Sequence, residues 1–168
     1  MINRILRYGL IFILLFLLQV LLFNNIKFSG YVNPYIYIMF ILLLPAEIPS
    51  WLLLILSFFT GLTMDLFSGT PGMHTSATVM AGFIRPYTLR IISPRDGYEP
   101  GTDPSMMVYG LKWFLIYSSF IVIVHHLTLF YLEVFRLTDF FSTLLRVILS
   151  SLFTVAFIIL LEYIRKGK

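Results

Sequence analysis

The stretch Gly61-Leu-Thr-Met-Asp65-Leu-Phe-Ser-Gly69-Thr-Pro-Gly72-Met-His74-Thr-Ser-Ala77 joins two apolar segments of the chain through a short polar turn. Before the turn, Ser57, Gly61 and Asp65 recur every four residues, so a helix presents them on one stripe. After the turn the same spacing recurs in Ala77, Ala81 and Arg85. Small residues at this spacing let two helix backbones approach closely in lipid, where packing drives helix association. We therefore expect a close-packed antiparallel helical hairpin.

Asp65 is the carboxylate of this hairpin, and a polar group inside a membrane-spanning segment is costly enough to need a purpose. Counting back from the turn, with Gly72 inside it, sets Asp65 near His74 and Thr75. A polar contact from Asp65 should then lock the outer end of the hairpin. The alternative is that Asp65 binds a substrate, an ion or a proton.

Outward from the hairpin, the sequence is apolar along almost its whole length. The chain has 168 residues, of which 59% are hydrophobic and 12% charged, and its mean hydropathy is +0.92. A soluble domain carries about 25% charged residues. Backbone groups in lipid must bond within their own segment, which favours helices. We expect one all-α integral membrane domain over 1–168. Its six transmembrane helices should cover about 5–23, 34–47, 51–67, 71–92, 111–132 and 141–163.

Lysine and arginine lie at the ends of these apolar runs. If the N-terminus is cytoplasmic, nine of the 12 fall on the cytoplasmic side: Arg4, Arg7, Arg85, Arg90, Arg95, Lys112, Arg165, Lys166 and Lys168. Lys27 and Arg136 are clearly on the other side, and Arg146 lies within the last run. The positive-inside rule then predicts that both termini are cytoplasmic. The positive charge forms no continuous patch, which argues against nucleic acid as a partner.

Two further groups of charged residues lie on the expected cytoplasmic side. Glu47 could form an ion pair with Arg85 or Arg90, or each could meet water and lipid headgroups separately. The connection over 93–107 carries Asp96, Glu99 and Asp103 against Arg95, so it offers a net acidic surface to a partner.

Catalytic and metal-binding patterns are hard to place in this sequence. There is no cysteine, no phosphate-binding glycine-rich loop and no HExxH pattern. Asp65 has no obvious second carboxylate for an intramembrane aspartyl protease. His125 and His126 are adjacent, so a helix points them about 100° apart and they cannot chelate one metal together. We expect no enzymatic activity, no metal and no cofactor.

The chain resembles the bacterial rod shape-determining protein MreD family. The resemblance rests on length, on six spans with basic cytoplasmic termini, and on the central block 45–86 with Gly61-Leu-Thr-Met-Asp65-Leu66 and Gly72. The long connection 93–107 and the pair His125-His126 depart from the pattern. The resemblance implies a non-enzymatic inner-membrane scaffold of the peptidoglycan elongation machinery. The implied partners are a single-span protein resembling MreC, an MreB-type filament, a RodA-type glycosyltransferase, a class B penicillin-binding protein and membrane lipids.

The expected architecture is also similar to the six-helix substrate-binding subunits of energy-coupling-factor vitamin transporters. A small-molecule binding subunit of a transporter is therefore the alternative function. Such a subunit needs a polar pocket reached from outside, usually beneath a substantial outer loop. The outer connections here are short, at about 24–33, 68–70 and 133–140, which favours the scaffold.

Overall fold

The computed structural model describes residues 2–25, 32–99, 101–134 and 140–166. Within these ranges the chain is helical and has no β-strand. The α-helices are α1 (Ile2–Leu21), α2 (Met39–Leu43), α3 (Ser50–Ser68), α4 (Met73–Ile91), α5 (Met106–Tyr109), α6 (Leu111–Val134) and α7 (Phe140–Lys166). Two 3-10 turns lie at Phe23–Asn25 and Ile36–Ile38.

Four helical segments in the described chain are long and apolar enough to cross a membrane: Ile5–Asn25, Ser50–Ser68, Leu111–Val134 and Phe140–Arg165. The prediction of an all-helical membrane protein is confirmed, whereas the prediction of six spans is not. Helix α4 has 19 residues, as α3 does. Two arginines, one histidine and several small polar residues make α4 less apolar than those four segments.

The segment expected to be the second span, 34–47, is not one long helix. It contains the three-residue 3-10 turn Ile36–Ile38 and the five residues of α2, which together extend roughly 14 Å. That length is less than half of a hydrocarbon core of about 30 Å. Every side chain of these eight residues is buried. Neighbouring helices surround this stretch, so its backbone can depart from a regular helix without meeting lipid.

Helix α4 lies at the centre of the bundle, where it packs extensively against α3 on one side and α6 on the other. Helix α7 packs against α6. Helix α1 lies at the periphery, against both 3-10 turns, α2 and α3. Large apolar side chains of α1, including Leu10, Leu14 and Leu21, face outward. Most small and polar residues of α4, such as Ala77, Thr78 and Arg85, therefore face protein, whereas α1 presents the apolar surface that suits lipid.

The two ends of the chain meet at one carboxylate. Asp103, in the connection before α5, accepts hydrogen bonds from Arg7 and from the hydroxyl of Tyr8. The guanidinium of Arg165 lies 3.6 Å from the same carboxylate. The start of α1 and the end of α7 therefore lie at one end of the bundle, which we call the terminal end. The opposite end, with the turn 69–72, is the hairpin end.

Candidate functional site

The carboxylate of Asp65 caps the first turn of α4 from the neighbouring helix. One oxygen accepts from the N–H of His74 at 2.9 Å and the hydroxyl of Thr70 at 3.1 Å. The other accepts from the N–H groups of Gly72 and Thr75, both at 3.0 Å, and from the Thr75 hydroxyl at 2.6 Å. A helix begins with unpaired N–H groups and a partial positive charge, so a carboxylate placed here stabilises it. Asp65 is only 4% exposed.

His74 occupies the same corner and completes it. Its Nδ1 lies 2.7 Å from the Thr70 hydroxyl and 3.2 Å from Asp65. Its Nε2 is buried and has no partner among the described residues. The ring packs edge-on against Tyr35, with the two ring centroids 5.3 Å apart. The structure thus brings together Asp65, Gly72 and His74, three of the residues that the sequence placed at this turn.

Two glycines set the distance between α3 and α4. A Cβ on Gly61 would lie 2.4 Å from the Cα of Thr75 and 2.6 Å from the carbonyl oxygen of His74. A Cβ on Gly82 would lie 2.2 Å from the Ser57 hydroxyl. At Gly61 the two backbones are therefore too close for any larger residue without movement, whereas at Gly82 the side chain of Ser57 fills the space. The other predicted members of the stripe, Ala77 and Ala81, are fully buried.

Gly82 was not singled out from the sequence, although a signal for it exists. In an antiparallel hairpin, residues at equal distances from the turn lie opposite each other. Ser57 and Gly82 are equally far from the turn that follows Gly69, as are Asp65 and His74. Counting outward from the turn on both helices would have paired them.

Arg85 is 1% exposed and donates hydrogen bonds at the C-terminal end of α2. Its Nε donates to the Tyr117 hydroxyl at 2.7 Å. Its terminal nitrogens donate to the carbonyl oxygens of Leu44, Leu42 and Pro45. The Tyr117 hydroxyl in turn donates to the Leu42 carbonyl at 3.0 Å. A helix ends with unpaired carbonyls and a partial negative charge, which a cation stabilises.

The expected ion pair of Glu47 with Arg85 or Arg90 is not formed. The guanidinium of Arg85 turns inward to backbone carbonyls, because α2 ends beside it and leaves these carbonyls outside the hydrogen bonding of a helix. The carboxylate of Glu47 accepts from the N–H of Gly101 at 2.5 Å and ties its corner to the following connection. Arg90 is exposed near the end of α4.

The N-terminal end of the buried segment 32–45 is also held by hydrogen bonds from side chains. Gln19 of α1 accepts from the N–H of Ile36 at 2.7 Å and donates to the carbonyl of Pro34 at 3.1 Å. Two further backbone N–H groups donate to hydroxyls of α7. That of Asn33 donates to Ser150 at 3.1 Å, and that of Tyr35 donates to Thr154 at 3.0 Å. Buried backbone groups that lack a ladder partner need such substitutes. Segment 32–45 therefore runs through the bundle with polar side chains at both of its ends.

His125 and His126 lie fully buried in the middle of α6, where each has a partner of its own. Nε2 of His125 lies 2.6 Å from the Tyr37 hydroxyl, and Nε2 of His126 lies 3.1 Å from the Thr154 hydroxyl. Nδ1 of His126 is 2.9 Å from the Val122 carbonyl. In the described ranges, no three His, Asp or Glu side chains are grouped to hold a metal ion. The histidines therefore act as interhelical hydrogen-bonding groups in this arrangement.

The acidic connection at the terminal end differs from its expected form. Asp103 is 8% exposed and is surrounded by Arg7, Tyr8 and Arg165, so it is not part of an open acidic surface. The two guanidinium groups of Arg7 and Arg165 attract the carboxylate inward. Asp96 and Glu99 do remain exposed.

Part of this connection is fastened to the bundle by an aromatic side chain. The hydroxyl of Tyr98 donates to the carbonyl of Leu89 at 2.6 Å. Burial raises the pKa of Tyr98 to about 12, so its hydroxyl stays protonated and keeps donating throughout the physiological range. The indole of Trp113, whose centroid is 6.0 Å from that of Tyr98, donates to the carbonyl of Ile92 at 2.8 Å.

Comparisons of the chain with known protein families, with curated proteins and with solved structures give no match. The class that the described residues define is an all-helical membrane protein. Within it, most of the buried polar side chains described above bond to the protein's own backbone and to one another.

Proposed function

We propose that the chain is a non-enzymatic scaffold of the bacterial inner membrane that binds a single-span partner resembling MreC in the machinery of cell elongation. The observation that carries this proposal is that the buried polar side chains bond to the protein itself. Asp65, Arg85 and Gln19 are engaged by the protein's own backbone. Their chemistry is used in holding the fold, and the outward helix faces remain as the surface for function.

In the proposed arrangement the chain crosses the membrane six times, with its terminal end in the cytoplasm. The second crossing is the buried segment 32–45, and the other five are α1, α3, α4, α6 and α7. Two contacts support a crossing by this segment: Asn33 donates to Ser150 of α7, whereas Leu44 accepts from Arg85, in the terminal half of α4. Arg7 and Arg165 at the terminal end fit the positive-inside rule.

The partner helix adds to an outward face by packing and interhelical hydrogen bonding. The segment that contains α1, Ile5–Asn25, is the most exposed of the four long apolar segments, because only 11% of the residues in its most apolar stretch are buried. Asp96 and Glu99 add a negative surface beside the membrane for a basic partner segment. An MreB-type filament, a RodA-type glycosyltransferase and a class B penicillin-binding protein complete the proposed complex.

The alternative, a substrate-binding subunit of a vitamin transporter, requires a pocket that opens at the hairpin end. The interior space beside Tyr37, Thr60 and Met64 is too small for a water molecule. A cavity of about 760 Å³ opens instead at the terminal end, between Arg7, Asp103 and Arg165. Among the described residues, which leave out 26–31 and 135–139, this distribution of space favours the scaffold.

Depletion in a rod-shaped bacterium that carries this protein tests the proposal. We expect depleted cells to become round and to yield less of the MreC-like partner with the synthase complex. Complementation by the wild-type chain should restore both properties. Unchanged shape together with lost uptake of a vitamin would overturn the scaffold and support the transporter subunit.

A further inference from the structure

A groove on the outside of the α3–α4 hairpin, near the terminal end, combines apolar walls with a cationic rim. Its volume is about 270 Å³, and its lining consists of Ser50, Leu54, Gly82, Phe83, Pro86, Tyr87 and Arg90. Gly82 has no side chain and Pro86 has a short one, so α4 leaves a hollow between Leu54 and Phe83. The volume is below the 300–1,000 Å³ that is typical of pockets for drug-sized ligands.

Arg90 is the charged residue of this lining, and its charge is not compensated there. It is exposed, and within the described part of the chain no carboxylate pairs with it. The lining contains no aspartate or glutamate. The hydroxyl of Ser50, at the start of α3, lies on the same rim and adds a donor.

The larger cavity at the terminal end does not share this property. Its two arginines, Arg7 and Arg165, are both in contact with Asp103, and Arg165 also contacts Glu162. Two carboxylates therefore balance the two guanidinium groups. An anion entering that cavity would have to compete with them, whereas an anion beside Arg90 would not.

We propose that the α3–α4 groove binds an anionic phospholipid. Its phosphate lies against Arg90 and the Ser50 hydroxyl, and one acyl chain lies along Leu54, Phe83 and Pro86. Guanidinium groups bind phosphate through paired hydrogen bonds. Trp51 and Tyr87 are exposed beside the rim, as aromatic side chains at a membrane interface commonly are. A lipid chain fits a narrow apolar hollow that is too small for a vitamin-sized ligand.

Native mass spectrometry of the full chain in detergent tests the proposal. The probes are phosphatidylglycerol and phosphatidylcholine with the same acyl chains. We expect the first phosphatidylglycerol to bind severalfold more tightly. Both lipids carry a phosphate, but the quaternary ammonium of phosphatidylcholine adds a positive charge that Arg90 repels. Arg90→Gln should remove this preference. Arg95→Gln, which changes an exposed arginine outside the groove, should retain it.

Two further measurements separate the parts of the proposal. Leu54→Phe fills the hollow but keeps Arg90, and it should weaken phosphatidylglycerol binding severalfold without changing the melting temperature. Inorganic phosphate at the same concentration should leave the lipid bound. The proposal is overturned if phosphate alone displaces the lipid, if Arg90→Gln keeps the full preference, or if Arg95→Gln loses it equally.

Discussion

The carboxylate of Asp65 meets donors on both of its oxygens, and three of those donors are backbone N–H groups of the first turn of α4. An ion or substrate site would leave part of the carboxylate open, whereas Asp65 is 4% exposed. At the scale of single residues, the role of a polar group in a membrane segment is therefore shown by its hydrogen-bond partners more than by its position. Arg85 follows the same pattern with backbone carbonyls.

We expect Asp65→Asn to destabilise the protein, although Asn conserves shape. Each oxygen of Asp65 accepts from at least one backbone N–H, so either orientation of an amide brings its NH₂ group against N–H donors. Leaving buried donors unpaired costs about 2 kcal/mol, which corresponds to roughly 4–8 °C in Tm for a chain of this size. Thermal unfolding in detergent measures the change.

Asp96→Asn is the matched control for that variant, because Asp96 is an exposed carboxylate. Its Tm should equal that of the wild-type chain. If Asp65→Asn also kept the wild-type Tm but failed to complement depleted cells, the cap would be wrong and a binding role for Asp65 would be supported.

At the scale of helices, the α3–α4 hairpin could be predicted from the sequence, but the buried segment 32–45 could not. The hairpin follows from local spacing, because small residues every four positions lie on one face of a helix. The apolar run over 34–47 indicates burial but not backbone conformation. Its irregular ends depend on Gln19, Arg85 and Thr154, which lie far away in sequence. No local sequence pattern predicts such distant donors and acceptors.

Gly61→Ala should separate α3 from α4 and lower the Tm. The added Cβ would meet the backbone of Thr75 at 2.4 Å, and backbone atoms cannot rotate away as a side chain can. Overpacking of this kind costs about 1–3 kcal/mol. Gly9→Ala is the control in α1, where the Cβ has open space and alanine favours the helix by up to about 1 kcal/mol. Equal Tm values for the two variants would contradict the close approach.

Arg85→Met should loosen the end of α2. The change leaves the buried carbonyl of Leu44 without its donor, whereas the carbonyls of Leu42 and Pro45 keep the Tyr117 hydroxyl and the N–H of Ile48. We expect a loss of about 2 kcal/mol or more, read as a lower Tm in detergent. Arg85→Lys should lose less, since an ammonium group still donates. Arg95→Met controls for removal of an arginine, and a Tm for Arg85→Met as high as for this control would refute the role of Arg85.

At the scale of the whole molecule, one carboxylate links the start of α1 to the end of α7. Arg7 and Arg165 both contact Asp103, so the two termini lie at the same end of the bundle. Termini at one end require an even number of crossings. The positions of lysine and arginine in the sequence also predict an even number, because the positive-inside rule puts both termini in the cytoplasm. If α4 crosses together with α1, α3, α6 and α7, as we propose, an even number requires the segment between Asn25 and Glu47 to be the sixth crossing.

Cysteine labelling on either side of that segment tests the six-crossing arrangement most directly. The chain has no cysteine of its own, and Asn25 and Glu47 are both exposed. In intact cells an impermeant thiol reagent should label Asn25→Cys, and it should label Glu47→Cys only after the membrane is permeabilised. Pro71→Cys and Asp96→Cys serve as references for the hairpin end and the terminal end. Labelling of both Asn25→Cys and Glu47→Cys from outside intact cells would contradict a crossing by segment 32–45.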